Sequence, residues 1–390
     1  MMNSLQRFLA VCHGERPDYV PLFGFAPWAP GMSGGCQATT YDNLRRTGMP
    51  DVGGRWDPAD LASFNLPGWH AYWGTETQIS VDFFPGTHAP GIKSTSTIKD
   101  GFEYIEYETG ALTRQVLNND VIYSMPDFIR FDVRDRASFE LYKELESPSN
   151  PWTKEQIDKA CAPFDNRTSP LWITLHSTWG NMRSVMGTEL ACTVLYDDPQ
   201  LAHDFMEWQR WYNRTFWFPV IERLKPEVVA ISEDFCYNHG MLISGDHFRE
   251  FCAQGYHEIS EVVKSAGVPV FALDCDGFVE PALPLITPHG VNAVFPWEVK
   301  SGNDLYRVRQ NYPELILFGG VEKECANAGN ASLIRAEIES KRDLIRKGRY
   351  FPNGDHGMQP LVDFETMCKF MTLLHEVTEN PAGAFPRMQP

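Results

Sequence analysis

The sequence is short of positive charge: Lys and Arg total 34 against 51 Asp and Glu, a formal net charge of −17. A row of phosphates would find little here to neutralise it. Nucleic acid is therefore excluded as a primary partner, and an anionic membrane surface is disfavoured. Long apolar runs are also missing, so no transmembrane helix is expected. The stretch from Met1 to Gly14 carries Arg7 and is too short and polar for a secretory leader. The nine cysteines are odd in number and contain no CxxC, which reads as a reducing cytoplasm without a disulfide framework. There is no P-loop, GxGxxG or HExxH, no internal repeat and no low-complexity segment.

What is present is core-forming material. Hydrophobic residues make up 43% and aromatics 13% of 390 residues, enough for one large domain. From about 170 onward short apolar runs recur: LWITLHS at 171–177, EVVAISE at 227–233, VPVFALD at 268–274, NAVFP at 292–296, ELILFGG at 314–320 and YFP at 350–352. Runs of this length suit strands buried on both faces. Between them lie amphipathic stretches at 199–224, 246–265, 331–347 and 363–377, the last with Asp363 as its cap. Near the N-terminus, 3–13 reads as a helix and 20–25 as a first strand. The Gly-, Pro- and Trp-rich stretch 27–90 reads as a long loop region. Residues 97–117, with turn signals at Asp100-Gly101 and Thr109-Gly110, read as a β-hairpin or meander. The alternation predicts an α/β fold, a (β/α)8 barrel in a single domain over 1–390, with 27–120 as a decorated loop and hairpin region.

In such a barrel chemistry belongs where strands run into βα loops. Those positions hold His176, Glu233, Asp234, Tyr237, Asp274, Asp276, Glu298, Glu322, Lys323, Asp355 and His356. Crowded carboxylates invite a cation, a shared proton or a basic group. Strand alternation puts Asp274 and Asp276 on one face and Cys275 on the other, a half-site for a divalent cation or an acid–base pair. His356 could add an imidazole nitrogen. Each has a plainer counterpart: Asp276-Gly277 is also a turn dipeptide, Glu233 and Glu298 are also capping or ion-pair residues, and His176 also suits a satisfied core position. Aromatic residues of the early loops, Trp28, Trp56, Trp69 and Trp73 among them, could wall a substrate or form a local core.

Several blocks resemble the uroporphyrinogen decarboxylase superfamily: LQRFL…GERPDYVP at 5–21, EDF…HGMLIS…FREF at 233–251, DCDG…PWEV at 274–299, FGGVEK at 318–323, and GRYFP…DHG…P…DFE at 348–365. The resemblance implies a (β/α)8 barrel. The superfamily's true decarboxylases carry an Arg-rich N-terminal loop, whereas the matching stretch from Phe25 to Gly31 has no Arg. Its other branch contains zinc-dependent methyltransferases that work with corrinoid proteins, and their zinc positions fall on Asp274, Asp276 and His356. The two thiolates of that pattern are absent, which leaves an O, O, N ligand set for Zn²⁺. The expectation is transfer of a methyl group from a small, methoxylated substrate to a corrinoid partner. Asp274, Asp276 and Glu298 would be catalytic, His176, Glu233, Tyr237 and Trp28 would bind substrate, and Glu233 and Glu298 would be further ligands or substrate acids. A metal-independent decarboxylase or lyase and a non-catalytic binding barrel are the alternatives, and a homodimer is a loose expectation.

Overall fold

The computed structural model describes residues 2–23, 36–53, 55–56, 66–76, 78–88, 91–117 and 126–390. Seven parallel strands form one curled sheet: β1 (Ile79–Ser80), β2 (Leu171–Thr174), β3 (Val228–Ser232), β4 (Val270–Asp274), β5 (Ala293–Phe295), β6 (Ile316–Val321) and β7 (Tyr350–Gly354), each paired with its sequence neighbour. The seam closes through Phe23. It bridges Glu76 in parallel, and its carbonyl accepts from the Asn353 side chain at 2.8 Å. This supplies the eighth position of a (β/α)8 barrel. The expected first strand over 20–25 is thus reduced to a bridge at Phe23, with 24 and 25 outside the described residues.

Strand alternation divides the core in two. Val228, Ala230, Val270, Ala272, Ala293, Phe295, Ile316, Phe318 and Phe351 fill the barrel interior. Their neighbours Val229, Ile231, Phe271, Leu273, Val294 and Leu317 face the surrounding helices. Helix α1 (Ser4–Cys12) opens on a capping box between Asn3 and Gln6. It sends Phe8, Val11 and Cys12 into the interior cluster, and Phe8 stacks on Phe351 and Phe318 at 5.1 and 6.3 Å. Arg7, on the same helix, pairs with Asp18 and Glu76 across the seam.

The segment expected as a long loop, 27–90, holds helices Ala38–Arg46 and Leu66–Trp73 as well as β1. Local signals there are weak because β1 is only two residues long. The hairpin region is a four-stranded antiparallel sheet, Ser94–Lys99, Phe102–Tyr107, Leu112–Val116 and Asp127–Arg130. Asp100 and Gly101, both at positive φ, make its first turn. Trp69, Trp73 and Tyr72 do not wall a substrate. Trp69 and Tyr72 pack on Trp73, Tyr72 and Trp73 pack on Phe364, and Trp73 also meets Phe385. Asp363 caps the closing helix Phe364–Thr378 through the Thr366 amide at 2.7 Å. The eight cysteines whose side chains are described are free thiols. Among the described residues no helix is long and apolar enough to cross a membrane.

Candidate functional site

Three ligand-type side chains converge beyond the C-terminal ends of the strands. Asp276 follows β4, Glu298 follows β5 and His356 follows β7, and one ligand atom of each lies within 4.8 Å of the others. His356 Nε2 is 3.8 Å from Asp276 Oδ2, and His356 Nδ1 is 3.6 Å from Glu298 Oε1. A tetrahedron with metal–ligand bonds of about 2.1 Å has edges of about 3.4 Å, so three ligand atoms within 4.8 Å of one another would have to draw in to close around one cation.

The surrounding atoms hold these side chains in place. His356 Nδ1 lies 2.9 Å from the Asp355 carbonyl. A carbonyl only accepts, so Nδ1 donates there, and Nε2 is turned toward Asp276. Glu298 Oε2 accepts from the Gly277 amide at 2.8 Å and from Ser301 Oγ at 2.9 Å, leaving Oε1 toward the group. Asp355 ties two further loops together, accepting from the amides of Val299 and Lys323 at 3.0 Å each. Gly319 makes the close packing possible: its φ is +92°, and a Cβ there would stand 2.3 Å from the Pro296 carbonyl oxygen. Burial, with the carboxylates of Asp234 and Glu298, pushes Asp276 up to about 7 against the opposing pull of His356 and Lys323.

Asp274 stands outside this group, and Glu298 occupies the place expected for it. The reason is the strand period. Val270 and Ala272 point into the barrel, so Asp274 also does, whereas the strand ends there and alternation no longer governs Asp276. Asp274 Oδ2 accepts from Ser232 Oγ at 2.9 Å and lines a cavity of about 280 Å³ in the barrel mouth, with Ser80, Trp172, Thr174, Trp217 and Phe295 among its walls. Burial and the neighbouring Asp234 and Asp276 raise its carboxyl well above the usual range.

The other expected residues take separate places. Glu233 is fully buried. Its oxygens accept from the Thr178 amide and hydroxyl at 2.9 and 2.6 Å and from the Gly180 amide at 2.7 Å, which ties down the start of helix α2 (Trp179–Met186). The capping role is the one its geometry takes. His176 lies beside the barrel wall: Nδ1 contacts Gln209 Oε1 at 2.5 Å, and the ring stacks on Tyr212 at 3.9 Å. Burial pushes its pKa down to about 4. Tyr237 is exposed on a small hairpin at the rim. Trp28 lies outside the described residues, as does the Phe25–Gly31 stretch. Sequence reasoning missed Arg183, whose guanidinium holds Asp234 Oδ2 at 2.7 Å while Asp234 Oδ1 accepts from the Asp276 amide at 3.0 Å. Nothing local in the sequence marks Arg183. The positive φ of Asp234, 46°, would have been the structural clue.

A family model described as uroporphyrinogen decarboxylase (URO-D) matches residues 121–377. A solved structure of a methyltransferase from Methanosarcina mazei shares the fold at a TM-score of 0.57 and 15% identity, covering 97% of this chain and 99% of that one. No curated protein matches the sequence.

Proposed function

The chain belongs to the uroporphyrinogen decarboxylase family, and on that premise we propose that it is a methyltransferase, moving a methyl group from a small methylated donor to a corrinoid carried by a partner protein. The observation that carries the reading is the convergence of Asp276, Glu298 and His356 at the barrel mouth. Their chemistry, two carboxylate oxygens and an imidazole nitrogen, suits Zn²⁺. Zinc, when bound, supplies a Lewis acid for a leaving oxygen, which matters because an unassisted alkoxide or phenoxide leaves poorly from a methyl ether.

The chain's own residues do the rest. Asp355 and the Gly277 amide hold His356 and Glu298 in a fixed orientation, so little reorganisation accompanies binding. Asp274, facing the cavity beside the group, orients the donor's polar edge. Tyr237 on the exposed rim is placed to meet whatever docks over the mouth. The similarity in fold to a methyltransferase supports this reading. The decarboxylase alternative suits the site less well, because the described residues lining the cavity beside Asp274 include no Lys, Arg or His to hold a polycarboxylate.

The test is metal analysis of protein purified without chelator, together with an anaerobic transfer assay using reduced cobalamin as acceptor and methoxylated arenes, methylamines and methyl thiols as donors. Stoichiometric zinc and chelator-sensitive transfer are expected. Carbon dioxide release that is indifferent to EDTA, without methyl transfer, would establish the decarboxylase instead.

A further inference from the structure

Two consecutive carboxylates follow β3, and both reach the same helix. Glu233 takes the amides of Thr178 and Gly180 at the start of α2. Asp234 takes the Arg183 guanidinium, one turn further along, at 2.7 Å. The second contact does not stop at Asp234. Its other oxygen, Oδ1, accepts from the Asp276 amide at 3.0 Å. One planar carboxylate therefore bridges a helix on one side and the loop after β4 on the other. To do this Asp234 sits at φ 46°, a left-handed conformation that strains a non-glycine residue and persists only where its neighbours hold it. Arg183 is not placed for its own bonding either: its Nε is buried without a partner, an arrangement that costs free energy and calls for a reason.

The chain of contacts ends on Asp276, one of the three ligand-type groups at the mouth. The other two are held from nearby loops, Glu298 by the Gly277 amide and Ser301, and His356 by the Asp355 carbonyl. β4 ends at Asp274, so strand alternation does not aim the Asp276 side chain. We infer that Arg183 is a positioning residue for this site: its guanidinium fixes the Asp234 carboxylate, and Asp234 fixes the backbone from which Asp276 reaches the group. The inference rests on the metal reading for what Asp276 does, and on geometry for how it is held. Position and charge predict opposite outcomes. An arginine acting only by its charge opposes a bound cation, so its removal would tighten zinc binding. An arginine acting by position supports the ligand, so its removal would loosen zinc binding. The side chains of Arg183 and Asp234 are 31% and 33% exposed, and an ion pair this open adds little to overall stability. Loss of fold therefore does not mask the answer.

The experiment compares the full wild-type chain with Arg183→Met and Arg183→Lys. The first readout needs no metal: hydrogen exchange at the Asp276 amide, followed by NMR in EDTA. Arg183→Met is expected to speed that exchange about tenfold. Arg183→Lys keeps the charge and one donor, and should stay within about threefold of wild type. Both variants should melt within about 2 °C of wild type. The second readout is titration with Zn²⁺, where Arg183→Met should bind about tenfold more weakly and Arg183→Lys should recover most of that loss. Co²⁺ in place of Zn²⁺ should give a shifted visible spectrum in Arg183→Met and a near-native one in Arg183→Lys. Unchanged exchange at Asp276 in R183M overturns the inference. So does Zn²⁺ binding by R183M that equals or exceeds that of a zinc-binding wild type. A much lower melt with faster exchange throughout the chain overturns it as well, since Arg183 would then serve the fold at large. If the wild type binds no Zn²⁺ while exchange at Asp276 responds as described, the metal reading falls and the positioning of Asp276 by Arg183 stands.

Discussion

Replacing Glu233 with Gln separates a structural carboxylate from a catalytic one. Glu233 is fully buried, and its two oxygens take the amides of Thr178 and Gly180 along with the Thr178 hydroxyl. Burial pushes this carboxyl up, while the bonds from Thr178 and Gly180 pull it back. Glutamine keeps one carbonyl oxygen for Thr178 but turns an amide N–H₂ toward the Gly180 N–H, so two donors face each other. Each buried donor left unpaired costs about 1–3 kcal/mol. Relief from burying a charge offsets part of that, leaving a net loss of about 3 kcal/mol. Helix α2 has no room to slide away, because a Cβ at Gly180 would already stand 2.3 Å from the Ser232 carbonyl oxygen. Urea unfolding followed by circular dichroism should show the lower midpoint with a similar slope, and turnover in the proposed methyl-transfer assay should fall only as far as folded protein is lost. A variant with wild-type stability and abolished turnover would refute this reasoning and make Glu233 a substrate acid.

Three further outcomes are expected. Asp276→Asn should weaken Zn²⁺ binding at least about tenfold, while Asp274→Asn leaves it within about twofold; titration against a fluorescent zinc indicator checks the pair. His70 is buried against Thr75, and burial depresses its pKa from 6.5 to about 4. Its unfolded form therefore takes a proton that the folded form refuses, and stability falls as the pH drops from 6.5 toward 4, by about 3 kcal/mol in all. Urea midpoints across that window should decline less steeply for His70→Gln. Gly319→Ala should cost about 3 kcal/mol, from strain at positive φ and overlap with the Pro296 carbonyl, and it should also lower zinc affinity by shifting the Glu298 loop; a thermal melt and the same zinc titration report both.

The barrel was legible because doubly buried strands write themselves as short apolar runs. LWIT, VVAIS and VFALD each coincide with an observed strand. The cap at Asp363 was equally readable, since its side chain does the capping locally. β1 was not, because a two-residue strand leaves no period. At the site, Asp276, Glu298 and His356 were visible from their positions past apolar runs, whereas the departure of Asp274 from the group was not. It depends on where β4 stops pairing, a matter of its neighbours β3 and β5. The Arg183–Asp234 contact joins residues 51 apart in sequence, and no local pattern encodes it.

The plug at the barrel floor has a consequence for the order of events. With Phe8 packed against Phe318 and Phe351, the described residues fill the barrel floor, at the other end from the residues that follow the strands. Under the proposed methyl transfer, a donor bound at the barrel mouth would enter before the corrinoid partner docks over it and leave after that partner departs.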